Sequence, residues 1–181
     1  MSAAIGTHVD DLLGIGPTEE LDATENLIEG EVELDKRGRP EKMLGMESHW
    51  DTDQVILTQM GLIETTAKNY KLTRDGLKQS LPLDSSYYKK GEELDEKADQ
   101  KKFQSLVGSL LFIGRMIRLD IAIHVNRLGW RMADPTTKNY RAALQVLSYL
   151  RATHTEEVTL KRPPNLEIRI LSNAAYGGEK A

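Results

Sequence analysis

Between residues 96 and 153 the apolar residues recur every three or four positions in three successive stripes, and no other feature restricts the fold as tightly. Phe103, Leu106, Leu110, Ile113 and Ile117 define one helix face, Ile121, Val125, Leu128 and Met132 a second, and Tyr140, Ala143, Leu144, Leu147 and Arg151 a third. Three amphipathic helices in a row must bury their stripes against one another or against a sheet. Asp134-Pro135 predicts the start of the third helix, since an aspartate can accept hydrogen bonds from orphan amides and proline suits a first helical turn.

Before this region the pattern is of shorter period. Ala4 to Val9 and Leu12 to Ile15 alternate as a hairpin with Asp10 and Asp11 at its turn, and Gly14, Gly16 and Pro17 end it. Thr18 is the expected N-cap of an acidic surface helix, Glu19 to about Glu29, in which Glu19, Glu20 and Asp22 suit the positive helix end and Leu21, Thr24 and Ile28 face inward. A second hairpin is expected from Met43 to Trp50 and Val55 to Leu57, turning at Asp51-Thr52-Asp53. A helix follows with Ile63, Ala67 and Tyr70 on one face, and residues 71–95 read as a linker or long ordered loop. After the third stripe, "VTLKR" and "LEIRILS" return to strand. The expected fold class is therefore α+β: N-terminal β-hairpins with an acidic helix, then a helical part, then a short C-terminal β-hairpin.

The 181 residues include no cysteine, which rules out a disulfide framework and a thiolate zinc site and suits an intracellular protein, cytoplasmic or nuclear. No basic segment with an apolar core opens the chain and no apolar run approaches bilayer length, so neither export by that route nor membrane insertion is expected. The net charge of −4 conceals a gradient: residues 1–40 hold ten acidic and three basic side chains, residues 100–162 eleven basic and four acidic. Either the halves attract each other, or the basic half meets a polyanion, or the charges only solvate the surface.

Adjacent carboxylates at a hairpin turn make a mount for a hard cation such as magnesium, although a two-metal centre needs carboxylates from more than one strand. Alone, such a pair is also an ordinary polar turn. The surrounding motifs are more specific. "HVDDLLGIG" resembles the Tyr-x-Asp-Asp hairpin of reverse transcriptases, "MLGME" a Phe-Leu-Gly-Met-Glu stretch, "ILTQ" a Leu-Ser-Gln and "LPLD" a Thr-Pro-Leu. "FQSLVGSLLFIGRMIRLDIAIHVNRL" resembles Tyr-Arg-Ser-Leu-Val-Gly-Ser-Leu-Leu-Tyr-Leu, then Arg-Pro-Asp-Ile-Ala, then Val-Asn-Arg-Leu; "ADPTTKNYRAALQVLSYL" continues with the counterparts of Asn-Pro-Thr and Arg-Val-Leu-Arg-Tyr-Leu. In this order, from His8 to the end, the motifs resemble the copia-type retrotransposon polyprotein.

The resemblance implies a partial polymerase palm over 1–57, a thumb-like helix and linker over 58–95, a three-helix connection region over 96–153, and the opening of ribonuclease H over 154–181. It makes Asp10 and Asp11 inherited catalytic and metal-binding carboxylates and magnesium the cofactor. His8 stands where the family has tyrosine, and Leu119 replaces the proline of Arg-Pro-Asp. "SNAAYGG" puts Asn173 at a ribonuclease H metal-binding aspartate and Ala175 at the next acid, where an amide supplies no anionic ligand. Neither active site is expected to assemble from this chain alone, nor magnesium to be held stably. The principal reading is a non-catalytic fragment or domesticated remnant. The alternative is a subunit of an active RNA-directed DNA polymerase, completed in trans by a chain with fingers and a further palm aspartate.

As a binding module, the chain would meet RNA or DNA backbone through Lys101, Lys102, Arg115, Arg118, Arg127, Arg131, Lys138 and Arg141. These residues equally suit solvated helix faces. An exposed palm edge would invite a homodimer or a protein partner. The remaining signals are weaker. Gly14 and Gly16 lack the third glycine of a nucleotide loop, and His8, His49, His124 and His154 have no ligand spacing. Trp50 and Trp130 read as core anchors, and Ser105, Ser109 and Ser148 have no base beside them.

Overall fold

A computed structural model describes residues 3–9, 11–35, 38–72, 82–83, 87 and 96–162. The fold is α+β, and it divides into two compact units, Met1–Arg39 and Pro40–Ala181.

In the first unit, β1 (Ala4–His8) pairs antiparallel with β2 (Asp11–Ile15), with Ala4 opposite Ile15 and His8 opposite Asp11. This register leaves a two-residue turn in which Val9 takes a left-handed φ of 54°, a conformation a β-branched residue rarely adopts. Asp11 thus closes the ladder, while Asp10 lies outside the described residues. Helix α1 (Thr18–Glu29) follows. Pro17 occupies its N-cap position without a side-chain hydrogen bond, so Thr18, expected as the cap, is instead the first helical residue. The carboxylate of Glu20 takes up the role of fastening the helix start, accepting from the Ala3 amide at 2.7 Å. Leu21, Thr24 and Ile28 are half-buried, as their spacing predicts, and Glu25 beside them is as well. Gly16 is required by close approach, because a Cβ there would lie 2.7 Å from the Ala3 Cα.

The second unit contains an antiparallel sheet in the order β3-β4-β5-β6, formed by Lys42–Met43, Met46–Trp50, Gln54–Thr58 and Val158–Lys161. Residues 43–50 are not the single strand expected. Leu44 and Gly45 have φ of 50° and 71°, the sign required at both central positions of a tight hairpin turn, so the chain reverses there. The second expected hairpin is present: the amide of Asp51 donates to the Gln54 carbonyl at 2.9 Å across the Asp51-Thr52-Asp53 turn. Strand β6 pairs with β5, Val158 opposite Leu57 and Lys161 opposite Gln54. Its expected partner, "LEIRILS", and Asn173 lie outside the described residues.

The helices of this unit are α2 (Met60–Asn69), α3 (Gln100–Met116), α4 (Ala122–Gly129) and α5 (Thr137–Ala152), with a 3-10 turn, Leu119–Ile121, leading into α4. Their facing sides make one core in which Ile63, Phe103, Leu106, Val107, Leu110, Ile113, Ile121, Val125 and Leu128 are buried. The first two stripes are therefore the ones predicted, with Val107 added and Met132 only partly buried. The third is rotated. Ala143, Val146, Leu147 and Leu150 are fully buried, whereas Tyr140 and Leu144 pack at the margin and Arg151 is half-buried, ion-paired to Glu64 at 3.6 Å.

The start of α5 also differs from the Asp134-Pro135 expectation. Thr136 is the N-cap, accepting from the Asn139 amide while the Asn139 side chain accepts from the Thr136 amide, a reciprocal capping box. Asp134 instead pairs with Lys97 at 3.1 Å on the surface. Part of the expected linker joins the core: Leu83 is buried within it, and Asn139 donates to the Tyr87 hydroxyl at 3.1 Å.

These placements predict unequal costs for equal truncations on α5. Leu150→Ala lowers unfolding free energy by about 2–5 kcal/mol, in the range for a buried leucine, and Leu144→Ala by clearly less. Urea denaturation of the two variants checks the assignment; equal losses would restore the unrotated stripe.

Candidate nucleic-acid interface

The carboxylates and the basic residues fall in different compact units. In the first, Asp11 is exposed on β2. Among the described residues no group of three or more histidine, cysteine, aspartate or glutamate side chains comes together as a metal ion would require.

The second unit gathers most of the basic candidates at one end of its helices. The side chain of Gln100 donates to the carbonyls of Met132 at 3.2 Å and Ala133 at 2.9 Å, and that of Gln104 to Met132 at 3.0 Å. The Ala98 amide donates to Pro135 at 2.9 Å, and the Thr137 amide to Glu96 at 2.8 Å. The strand-like lead into α3 is thus stitched along the α4–α5 connection. This brings Lys101 and Lys102, in the first turn of α3, to the same end as Arg127 and Arg131 at the close of α4 and Lys138 in the first turn of α5. Two acids at this end are engaged: Asp99 caps α3 by accepting from the Lys102 amide at 3.1 Å, and Asp134 pairs with Lys97.

Two of the candidates are placed apart, and Arg141 is exposed one turn further into α5. Arg115 is exposed at the far end of α3, thirteen residues beyond Lys102 and so about 20 Å along the helix. Arg118 is no surface residue at all: only 3% of it is exposed. Its guanidinium forms a fork on Asp120, Nε to Oδ1 at 3.0 Å and Nη2 to Oδ2 at 2.7 Å. It also donates to the Thr153 carbonyl at 2.9 Å and the Thr153 hydroxyl at 2.7 Å, and it lies 5.4 Å from the Tyr149 ring centroid. Tyr149 completes the group by donating its hydroxyl to Asp120 at 2.9 Å. A cation with its donors committed in this way joins the 3-10 turn to the end of α5 and is unavailable to phosphate.

Burial raises the Asp120 carboxyl, but the hydrogen bonds from Arg118 and Tyr149 outweigh it and hold the group below its ordinary value. His124 is also held low, first by burial and then by the neighbouring Arg127, against the opposing pull of Asp120.

Trp130 departs furthest from the expectation of a core anchor, being 78% exposed at the C-terminal cap of α4. The signal was present in the spacing. Ile121, Val125 and Leu128 mark the inward face, and Trp130 follows Leu128 by two residues, or about 200° of helix rotation, onto the outer side. Trp50, the other expected anchor, is 45% exposed on β4, with its indole N–H donating to the Pro40 carbonyl at 2.8 Å. His8 and His49 are exposed, whereas His154 is half-buried, its Nδ1 lying 2.9 Å from the Arg151 carbonyl.

The architecture is that of an α+β protein whose helical part carries a basic end with an exposed aromatic ring. No protein-family profile and no solved structure matches it. One curated protein is similar: the putative transposon Ty5-1 protein YCL074W of Saccharomyces cerevisiae, 26% identical over 183 aligned positions that take in 96% of this chain and 56% of the yeast protein. The chain thus spans little more than half the length of that relative. The similarity supports a transposon-related origin.

The depressed Asp120 carboxyl contributes stability above its unfolded value of about 4, and that contribution is lost as pH falls through the lower folded value. Asp120→Asn is expected to be less stable than the parent at pH 7 and to converge with it below about pH 4. Arg118→Lys keeps the charge but loses the fork, and is expected to cost about 1.5–3 kcal/mol. Denaturation titrations from pH 3 to 7 test both; parallel pH profiles for parent and Asp120→Asn would remove the ion pair from the stability of this unit.

Proposed function

We propose that the chain derives from a copia-type retrotransposon polyprotein, running from the polymerase hairpin through the connection region toward ribonuclease H. Its present task is binding nucleic-acid backbone rather than polymerising by itself. The order of the motifs and the transposon relative support the origin. The single observation that carries the binding role is the convergence of Lys101, Lys102, Arg127, Arg131 and Lys138 at one end of three helices, which the bonds from Gln100 and Gln104 to the α4–α5 connection hold in place.

A cluster of this kind recognises phosphate by charge and does not select sequence. Arg118 belongs to the fold in this reading, and Arg115 and Arg141 lie at the periphery. Asp10 and Asp11 are the counterparts of polymerase carboxylates, and magnesium is the ion they would help to hold; neither is needed for the backbone contact.

The expected result is binding of a primed RNA template that weakens steeply as salt rises. Removing one clustered cation, as in Lys101→Ala or Arg131→Ala, should lower the log–log salt slope by about one. Asp10→Asn/Asp11→Asn should bind as the parent does, with or without magnesium. Fluorescence anisotropy across a salt series decides: binding that needs both aspartates and magnesium would favour an active polymerase subunit, and no binding at low salt would end the proposal.

A further inference from the structure

We infer that Trp130 is a stacking platform for an unpaired base, so that the basic end of the helices takes single-stranded nucleic acid in preference to duplex. This rests on the backbone-binding reading above and adds the ring that engages a base.

Four observations converge. Trp130 is among the most exposed apolar side chains of the described residues, at 78%. It stands at a helix end and not on a tip of free loop, with its amide bonded to the Asn126 carbonyl at 3.3 Å, so the ring is presented from a fixed backbone. The segment directly after it is fastened to α3 by Gln100 and Gln104, which brings the first turn of α3, with exposed Lys101, to the end of the helices that carries exposed Arg131. The acids at this end are paired, Asp99 with Lys102 at 3.8 Å and Asp134 with Lys97 at 3.1 Å, and none occurs from Ile121 through Ala133.

An aromatic face flanked by cations suits a strand whose bases are free, because phosphates meet the charges while a base covers the ring. A duplex keeps its bases stacked inside and offers the ring no partner. Ile123 is exposed on the same side of α4, about two turns before Trp130, and Leu119 is exposed in the 3-10 turn that leads into the helix. They lengthen the apolar track, and by themselves they would suit a protein partner as well. The surrounding lysines and arginines favour the polyanion.

The test uses the full chain with a labelled 12-nucleotide oligouridylate and a 12-base-pair duplex, for the parent, Trp130→Ala, Trp130→Phe and Lys101→Ala. Trp130→Ala should weaken oligouridylate binding about 5- to 100-fold, the range for losing one stacked base, with the salt slope unchanged. It should leave duplex binding alone, and Trp130→Phe should recover most of the loss. Lys101→Ala should instead lower the slope for both ligands. An exposed ring is not needed for folding, and an unaltered melting temperature for Trp130→Ala confirms that the loss is local. Salt-sensitive binding of oligouridylate indifferent to Trp130 would overturn the stacking site while leaving the backbone reading intact; no binding of either ligand would overturn both. A parent dimer that Trp130→Ala converts to monomer would show that a second copy covers the ring, and would also overturn the inference.

Discussion

The buried face of α3 is the constraint on which the second unit depends. Phe103, Leu106, Val107, Leu110 and Ile113 are all fully buried, and each side chain of this size removed from water stabilises by about 1.5–3 kcal/mol before the cost of ordering it. Helices α4 and α5 and the 3-10 turn pack against α3. Gly114 shows how tight the approach is, since a Cβ there would stand 3.2 Å from Ile121. With α3 fixed between its neighbours, the ends of the helices are aligned as a consequence. The clustering of Lys101, Arg131 and Lys138 therefore follows from core packing and needs no attraction among the cations themselves.

Polar bonds then fix what packing leaves free. Arg118 closes one end by bridging Asp120 to Thr153 and lying against Tyr149. At the opposite end the amides of Gln100 and Gln104 hold the turn after Trp130. The two devices differ in chemistry for a physical reason. A guanidinium buried to 3% exposure requires an anion and several acceptors, whereas a turn at the surface can be held by neutral amides that leave nearby charges facing solvent.

How far the sequence disclosed this depends on which signal each residue carries. The stripes of α3 and α4 were legible because both helices bury a face broad enough to repeat cleanly at helical spacing. The stripe of α5 was misplaced by about one position. Tyr140 and Leu144 are apolar enough to enter a pattern and pack only at the margin, whereas Val146 and Leu150, left out of the stripe, are fully buried beside the expected Ala143 and Leu147. The reversal at Leu44-Gly45 was hidden because leucine rarely takes a positive φ and so gives no turn signal, although Gly45 beside it does. The pairing of β6 with β5 joins residues a hundred positions apart, which local pattern cannot report. Among site residues, the basic set was readable as composition but not as geometry. Charge alone could not separate Arg118, committed to Asp120 and Thr153, from Arg131 at the surface.

Trp130 brings these threads together. Its own packing does not explain its position, since Ile121, Val125 and Leu128 already fill the inward side of α4 and the ring adds nothing to the core. A singly exposed apolar side chain is ordinary on a protein surface, so the surroundings of the ring, and not its exposure alone, bear on what it does. The ring stands just before the connection to α5 that Gln100 holds, at the end of the helices that also carries Lys101, Arg131 and Lys138. A ring that adds nothing to the core, at a helix end held by Gln100 and Gln104, is free in position to serve the stacking role inferred above.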